Sequence, residues 1–362
     1  MKRSSLAVPV VAVLLWVLPA ALLTGCSAGD RSAPTAPVAA ASPAEPQRLT
    51  PQVAAREFSK FVNNDDVARA SGDERLALNW VADGQTPITA AEYRRAVFHG
   101  EPVPRHEYKS PTIYVPRLSE STFPQWFVVV AERTERAAAG RRAGSGRSRT
   151  AIMAFIRRDR ESAWKLSLST LLRDKARLPK IALDAEGYAT AVLTGEDDLL
   201  IPPKSLAGIQ AAIAEEGPDS VPADLMKPGP GTTGYFTETK QIKKRAAKEG
   251  LAFDVVFPAT LYPIFSLRTV DGGAFVLYAL GRDTVTLAKD ENDRPPIPTE
   301  AAHLLDSLIL GNQLNVYEVL QFAAYDPPKI KDAKNGKKTQ PKAEVIAIDG
   351  AAVRATAPQK VN

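Results

Sequence analysis

Two runs of helical pattern, each followed by strand pattern, constrain this chain more than any other feature. Residues 51–97 carry apolar side chains at helical spacing, and residues 112–192 then change to short stretches rich in β-branched and aromatic side chains. The same order returns in the second half, with a helical pattern over 233–248 and strand-like runs from 251 to 355. Helices that precede a meander of strands predict an α+β fold with an antiparallel sheet in each half.

The sequence therefore predicts two tandem α+β domains, each with N-terminal helices packed on a curved antiparallel sheet. We place them at 51–200 and 232–357, because a chain of 362 residues exceeds what one core usually organises. Residues 201–231 are rich in Pro and Gly and are predicted to be a linker that contains a short helix over about 205–216. In the first domain the expected buried residues are Phe58, Phe61, Trp80, Trp126, Val128, Val130, Phe155 and Leu168.

Two short strings indicate a duplication. The string FVVVA at 127–131 recurs as FVLYA at 275–279, and IALD at 181–184 recurs as IAID at 346–349. Apolar strings match by chance often, but these two pairs occur in the same order. We expect the second string of each pair to end its sheet and to lead into a turn.

The first 25 residues form a separate unit of the sequence. Lys2 and Arg3 precede an apolar run from Leu6 to Leu23, and the hydrophobicity stops just before Cys26. This layout is typical of an export signal. A retained transmembrane helix is the alternative, because about 18 apolar residues is the lower limit for spanning a bilayer, but two prolines in the run disfavour it.

The end of this segment, Leu23-Thr24-Gly25-Cys26, resembles the lipobox of bacterial lipoprotein signal peptides. The resemblance implies that residues 1–25 are removed and that the Cys26 thiol receives a diacylglycerol, whose acyl chains are of the palmitate type. Cys26 is the only Cys in the chain, so no intrachain disulfide competes for it. Since several acyl chains anchor a protein stably, we expect a lipid-anchored protein on the extracytoplasmic face of the cell membrane.

Residues 26–50 are rich in Pro, Ala and Ser and are predicted to be a disordered tether. Loss of the signal removes Lys2 and Arg3 and lowers the formal charge from +5 to +3. That charge is too mild to indicate nucleic acid as a partner.

A wider resemblance follows from the lipobox, the tether and the two helix-then-sheet halves, with the Ala91-Glu92-Tyr93-Arg94 helix and the Ile181–Asp184 strand. Together they resemble actinobacterial surface lipoproteins of unknown function. The order of elements also resembles the cone-shaped fold of nuclear transport factor 2-like and cystatin-like domains. That fold hosts enzymes such as ketosteroid isomerase as well as pure binding modules, so the resemblance implies no particular activity.

Catalytic and metal motifs are absent from the sequence, and we predict no cofactor and no metal. In an isomerase-like cone, an Asp base would face donors in an apolar pocket, and the first half offers only Asp65, Asp66, Tyr93 and Tyr108 for such a group. Acidic residues on an amphipathic helix usually lie on its solvent-exposed face. The histidines show no ligand spacing and are interpreted as surface or capping groups: His99, His106 and His303. Two strings are acidic enough for calcium, Asp184–Gly187 and Glu196–Asp198, but the first is interpreted as a hairpin turn and the second as a loop.

Two loops between predicted strands are strongly basic. They are interpreted either as solvated loops, exposed and mobile, or as contacts to anionic lipid headgroups or anionic wall polymer. The candidate contact residues are Arg133, Arg136, Arg141, Arg142, Arg147, Arg149, Lys331, Lys334, Lys337 and Lys338.

The sequence favours a non-enzymatic binding or assembly module of the cell envelope. A cell-envelope protein or anionic wall polymer is the expected partner, besides the membrane that Cys26 reaches. The alternative is a small-molecule enzyme with a pocket in one cone-like domain.

Overall fold

Five α-helices and nine strands lie within the described part of the chain, which the computed structural model gives as residues 48–136, 148–290, 292–305, 311–330 and 339–357. These ranges belong to one unit, Pro46–Asn362. Cys26, the signal at 1–25 and nearly all of the tether lie outside the described residues. The expected α+β class with two antiparallel sheets is confirmed.

The first half opens with three helices: α1 at Pro51–Ser71, α2 at Glu74–Leu78 and α3 at Gln85–His99. Thr50 caps α1 as expected, since its Oγ1 accepts a hydrogen bond from the backbone N–H of Val53 at 3.2 Å. An antiparallel sheet follows in the order β1-β2-β3-β4, formed by Arg105–Tyr114, Gln125–Arg136, Arg149–Arg157 and Lys165–Leu171.

The second half repeats the order with α4 at Pro203–Glu216 and α5 at Thr233–Lys248, the bounds predicted for the latter helix. Its sheet runs β5-β7-β8-β9, with β6 also paired to β7. These strands are Leu251–Val256 (β5), Phe265–Arg268 (β6), Ala274–Ala288 (β7), Gln313–Asp326 (β8) and Glu344–Thr356 (β9).

Two details of the predicted strands are wrong. Residues 180–192 form only isolated bridges, because their backbone groups bond to β6 of the other half, for example Val192 N to Ser266 O at 2.9 Å. Strand β9 also continues through Gly350, so the string at 346–349 does not lead into a turn. Gly350 lies so close to β8 that an added Cβ would stand 2.5 Å from the carbonyl oxygen of Val319.

The central strands of both sheets are buried on both faces. In β2, Phe127 and Val129 face the helices of the first half, whereas Val128 and Val130 face the second sheet. We call the apolar cluster between the two sheets the shared layer; its members include Val128, Val130, Ile152, Leu168, Phe265, Phe275, Leu277, Ala323 and Ile346. The two sheets therefore pack back to back through side chains from each half.

Helix α4 covers the outer face of the second sheet. Leu206 and Ile213 of this helix pack with Val276, Tyr278 and Phe322 of β7 and β8. The segment 201–231, which the sequence predicts to be a linker, thus contributes to the core of the second half. The boundaries 51–200, 201–231 and 232–357 stay predictions.

Most of the first-domain residues that the sequence predicts to be buried are buried. The six that the structure places in the interior are Phe58, Phe61, Val128, Val130, Phe155 and Leu168. Trp80 and Trp126 are half-buried instead.

Asp326, at the end of β8, is a buried carboxylate away from the helices of the first half. Its side chain is 0% exposed, Oδ2 accepts from Ile201 N at 3.3 Å, and Oδ1 has no partner. Burial raises its pKa from the ordinary value of 3.8 to about 7, and the N–H of Ile201 only partly opposes this. Between about pH 4 and pH 7, Asp326 is therefore protonated in the folded state and ionised in the unfolded chain.

We predict that the Asp326 pKa makes the protein less stable as pH rises from about 4 to 7. A group whose pKa is higher in the folded state stabilises the fold below its unfolded pKa, and this contribution is lost as pH rises through the folded pKa, by up to about 1.4 kcal/mol per pH unit. Asp326→Asn should flatten this loss between pH 4 and pH 8 in thermal unfolding. The exposed Asp219→Asn is the control, and parallel curves for the Asp326 variant and wild type would contradict the assignment.

Candidate functional site

A cavity of about 450 Å³ lies where the helices and first sheet meet strands β8 and β9 of the second half. This volume falls within the range of small-molecule pockets. The walls include apolar side chains such as Phe61, Val81 and Leu166. The polar lining comes from both halves and includes Asp65, Arg69, Gln85, Glu92, His106, Tyr108, Arg133, His303, Glu318 and Asp349.

An ion-paired cluster forms the helical wall of the cavity. Asp65 follows Phe61 by four residues on α1, so both lie on the buried face of that helix. Arg69 Nε donates to Asp65 Oδ2 at 2.8 Å, and Arg69 Nη1 lies 2.9 Å from Glu92 Oε1 of α3. The same Nη1 donates to the carbonyl oxygen of Pro104 at 2.8 Å. Arg69 thereby ties α1 to α3 and to the chain that enters β1.

Burial and ion pairing act against each other in this cluster. Burial raises the pKa of the Asp65 carboxyl, although Arg69 acts in the opposite direction. Burial of Arg69 opposes its charge, yet Glu92 and Asp65 hold its pKa above the usual range. Arg69 therefore stays a cation whose Nε and Nη1 groups are already engaged by protein acceptors.

His106 and Tyr108 of β1 add neutral polar groups to the cavity. Burial, helped by the charges of Arg69 and Arg133, lowers the pKa of His106 to about 3, so its imidazole is neutral at physiological pH. Burial raises the pKa of Tyr108 to about 12, which keeps the phenol protonated. His106 Nδ1 is buried and has no partner.

The opposite wall carries two carboxylates from the second half. Asp349 of β9 lies 3.9 Å from Arg133 of β2, and Glu318 of β8 lies 3.3 Å from Arg282. Burial raises the pKa of both carboxyls, with Arg133 and Arg282 opposing it. Glu318 Oε2 makes no hydrogen bond of good geometry. Asp349 Oδ1 also accepts the backbone N–H of Gly350 at 2.9 Å.

The structure brings together only part of the predicted catalytic group. Asp65 and Tyr108 line the cavity, and Asp65 is on a buried face rather than the wet face that the sequence suggested. Asp66 instead pairs with Arg105 at 2.6 Å and with Arg136 at 3.3 Å. Tyr93 packs in a separate cluster with Ala68 and Val103, and its buried hydroxyl has no partner.

A family and two relatives match the chain. A family described as "Domain of unknown function (DUF8094)" matches residues 46–357. The chain belongs to this family. "Uncharacterized lipoprotein SCO6871" of Streptomyces coelicolor is 28% identical over 278 residues, which is 71% of this chain and 72% of that protein. "Uncharacterized lipoprotein SCO2278" of the same organism is 25% identical over 232 residues, 62% of this chain and 64% of that protein.

The relatives confirm the resemblance to actinobacterial lipoproteins of unknown function. No solved structure matches the chain, so the resemblance to cone-shaped domains gains no support. Among the described residues, no helix is long and apolar enough to cross a bilayer. Names of the relatives and the lipobox together indicate a lipid-anchored member of the DUF8094 family.

Basic loop residues are described only at the ends of their loops. Arg133 and Arg136 lie beside the carboxylates of Asp349 and Asp66, and Arg149 is exposed. The other candidate contacts lie outside the described residues: Arg141, Arg142, Arg147, Lys331, Lys334, Lys337 and Lys338. Contact with an anionic surface stays a prediction.

Other sequence candidates have structural explanations. Asp184 accepts the backbone N–H groups of Glu186 and Tyr188, which is the hairpin turn expected there. Glu196 and Asp198 both pair with Arg268. Within the described ranges, no three His, Cys, Asp or Glu side chains gather closely enough to hold a metal ion.

We predict that Arg69→Met destabilises the protein by about 3 kcal/mol in chemical unfolding, because Asp65 and Glu92 would lose the cation that offsets their charge. Arg69 is 8% exposed, so water would not replace it readily. Arg94→Met on the exposed side of α3 is the matched control and should change stability by less than about 0.5 kcal/mol. Equal effects of the two substitutions would refute the structural role of Arg69.

Proposed function

We propose that this protein is a non-enzymatic binding or assembly module of the cell envelope, held by a lipid on the extracytoplasmic face of the membrane, that binds a small solute in the cavity. The observation that carries the proposal is the cavity itself, with polar side chains from both halves and unpartnered buried atoms such as His106 Nδ1. Convergent polar groups in a concave site are the usual mark of ligand binding. The lipobox and the lipoprotein relatives support the anchor.

Binding is favoured over catalysis because the titratable groups are poorly suited to proton transfer near neutral pH. His106 has its pKa lowered to about 3 and Tyr108 has its pKa raised to about 12, so each holds one protonation state. A general acid or base works best with a pKa near the working pH. Asp65 is already bonded to Arg69.

The alternative, a small-molecule enzyme, is favoured by one observation. Asp65 and Tyr108 line the same cavity, and burial raises the pKa of the Asp65 carboxyl, as in the buried carboxyl groups of some enzymes. Arg69 has a structural explanation, since it holds Asp65 within α1 and its contact with Glu92 joins α1 to α3. We therefore retain binding as the proposed function and treat turnover of the bound solute as the distinguishing result.

We predict that Cys26→Ala releases the protein from the membrane. Without the thiol no diacylglycerol is attached, and the remaining body offers no multi-chain anchor. Cell fractionation should show the wild type with the membranes and the variant in the soluble fraction or as uncut precursor. Ser27→Ala is the control and should stay with the membranes. A Cys26 variant that is processed and retained like wild type would remove the anchor from the proposal.

We predict that the detergent-solubilised wild type retains a solute from a cell extract of small molecules, and that Ala351→Phe abolishes this retention. Ala351 is half-buried and lines the cavity, so a phenyl ring there takes up ligand space. Ala252→Phe places the same ring at an exposed position of β5 and should retain the solute as wild type does. Equilibrium dialysis followed by mass spectrometry of the retained fraction makes the measurement.

The same measurement separates the two functions. Retention of an unchanged solute by wild type and by the Ala252 variant, but not by the Ala351 variant, supports binding. Conversion of the solute that stops in Asp65→Asn would favour the enzyme instead. Retention of no solute, or equal retention by all variants, would refute a binding role of the cavity.

A further inference from the structure

A second cavity, of about 600 Å³, lies between the segment that follows β4 and the second sheet. Residues 175–180, which we call the arch, form one side of this arch cavity. None of its lining residues lines the first cavity, so the two cavities are distinct. Its volume also falls within the range of small-molecule pockets. The side opposite the arch comes from the turn after β6 and from strands β8 and β9: Val270, Asp271, Tyr325, Glu344 and Ile346.

Hydrogen bonds fix the chain at both ends of the arch. Before it, Arg173 N donates to the carbonyl oxygen of Ile346 in β9 at 2.9 Å, and Arg173 Nη1 donates to the carbonyl oxygen of Val345. At the far end, the carbonyl oxygen of Lys180 accepts from Val270 N at 2.9 Å. The arch is therefore held against the second sheet on each side of the cavity, and the wall that it forms is part of the fold.

Three cations of the arch line the cavity: Lys175, Arg177 and Lys180. All three are exposed, and none belongs to the two basic loops that the sequence singles out. Among the described residues, none of the three forms an ion pair or a side-chain hydrogen bond with the protein. Their ammonium and guanidinium groups therefore keep their donors for water or a ligand.

The two carboxylates of the lining are already engaged by other side chains. Asp271 Oδ2 accepts from Tyr325 Oη at 2.6 Å, and Asp271 Oδ1 accepts from Thr269 Oγ1. Glu344 Oε2 accepts from Lys227 Nζ at 2.6 Å. The cations of the arch together with Lys227 outnumber these two carboxylates, so the arch cavity keeps a net positive charge.

Apolar surface lies beside these cations. Leu178 and Pro179 of the arch are half-buried, and Val270 on the opposite side is 68% exposed. Removing apolar surface from water is favourable, so the uncharged part of a ligand gains free energy by covering these side chains. A cavity that joins cations to apolar surface fits a ligand that has both an anionic group and an apolar group.

We propose that the arch cavity binds an organic phosphate whose phosphate group is joined to a short apolar chain. Arg177 and the two lysines would donate to the phosphate, which has about two negative charges and three strong acceptor oxygens. The chain would lie against Leu178 and Val270. A cation would meet three like charges, and an inorganic anion would leave the apolar surface uncovered. This inference does not depend on solute binding in the first cavity.

Isothermal titration calorimetry on the full chain in a non-ionic detergent tests the chemistry of the ligand. The probes are hexyl phosphate, hexanol, hexylamine and inorganic phosphate, each corrected for its heat with detergent alone. We expect hexyl phosphate to bind at least about tenfold more tightly than hexanol or inorganic phosphate, because each of these lacks one of the two groups. Hexylamine should give no binding heat.

Charge-removing substitutions in the arch test the place of binding. Arg177→Gln and Lys180→Gln should each weaken hexyl phosphate binding about fivefold, and the double variant about twentyfold, because each removes one exposed ion pair with the anion. Arg160→Gln, at an exposed arginine between β3 and β4, is the matched control and should bind as wild type does. Ala351→Phe, which fills the first cavity, should also bind hexyl phosphate as wild type does. Circular dichroism checks that each variant is folded.

A competition experiment distinguishes two sources of the phosphate. Detergent micelles that contain phosphatidic acid should displace hexyl phosphate if the ligand is a lipid headgroup, whereas micelles that contain phosphatidylcholine should not. Binding of hexyl phosphate that neither lipid displaces would identify a soluble organic phosphate as the ligand.

Several outcomes would overturn the inference. They are equal affinities for hexyl phosphate, hexanol and hexylamine, inorganic phosphate binding as tightly as hexyl phosphate, no binding of hexyl phosphate, or unchanged affinity in the folded double variant. Weaker binding in Ala351→Phe would place the anion in the first cavity and would also contradict the proposal. Retention of an extract solute tests the first cavity separately, so either proposal can fail while the other stands.

Discussion

The back-to-back packing of the two sheets through the shared layer is the contact on which the rest of the structure depends. Alternate residues of a strand face opposite sides, so Val128 and Val130 enter this layer while Phe127 and Val129 meet the helices. In β7, Phe275 and Leu277 do the same from the other sheet. The layer positions β8 and β9 beside α1 and α3, and the cavity exists only because those elements meet.

The two walls of the cavity differ in how closely their charged side chains are paired. A charge buried in a protein is costly unless it is paired, and Arg69 is surrounded by two carboxylates and a carbonyl oxygen. Glu318 and Asp349 on the facing wall receive weaker compensation. The helical wall is thus a network of close ion pairs, whereas Asp349 Oδ2 on the strand wall lies 3.9 Å from Arg133, beyond hydrogen-bond distance. Arg69 on the helical wall therefore mainly stabilises the fold, whereas Asp349 on the strand wall is paired less closely.

Short sequence patterns predict the helix ends well, because a helix end depends on residues close to it in the chain. The bounds of α5 and the cap at Thr50 follow from helical spacing and turn chemistry. The sequence predicts strand pattern over 180–192, but this segment bonds largely to β6 of the other half, and no local pattern encodes a partner about 80 residues away.

The candidate site shows the same limit. The sequence puts Asp65 and Tyr108 in one candidate group from the first half alone, although nothing in their spacing identifies a catalytic base. Glu318 and Asp349 were missed because they reach the cavity from the second half. One signal was available for Asp65: it follows Phe58 and Phe61 at helical spacing, which puts a charged residue on the buried stripe.

Strand β9, at Glu344–Thr356, supplies Asp349, Ala351 and Ala352 to the cavity. A chain is synthesised from its N-terminus, and earlier segments gain partners first. The helical wall with Asp65 and Arg69 can therefore assemble long before the acidic wall is complete. The complete cavity therefore forms only in a chain that includes β9. A chain interrupted before β9 would have the helical wall but would lack the lining that Asp349, Ala351 and Ala352 supply.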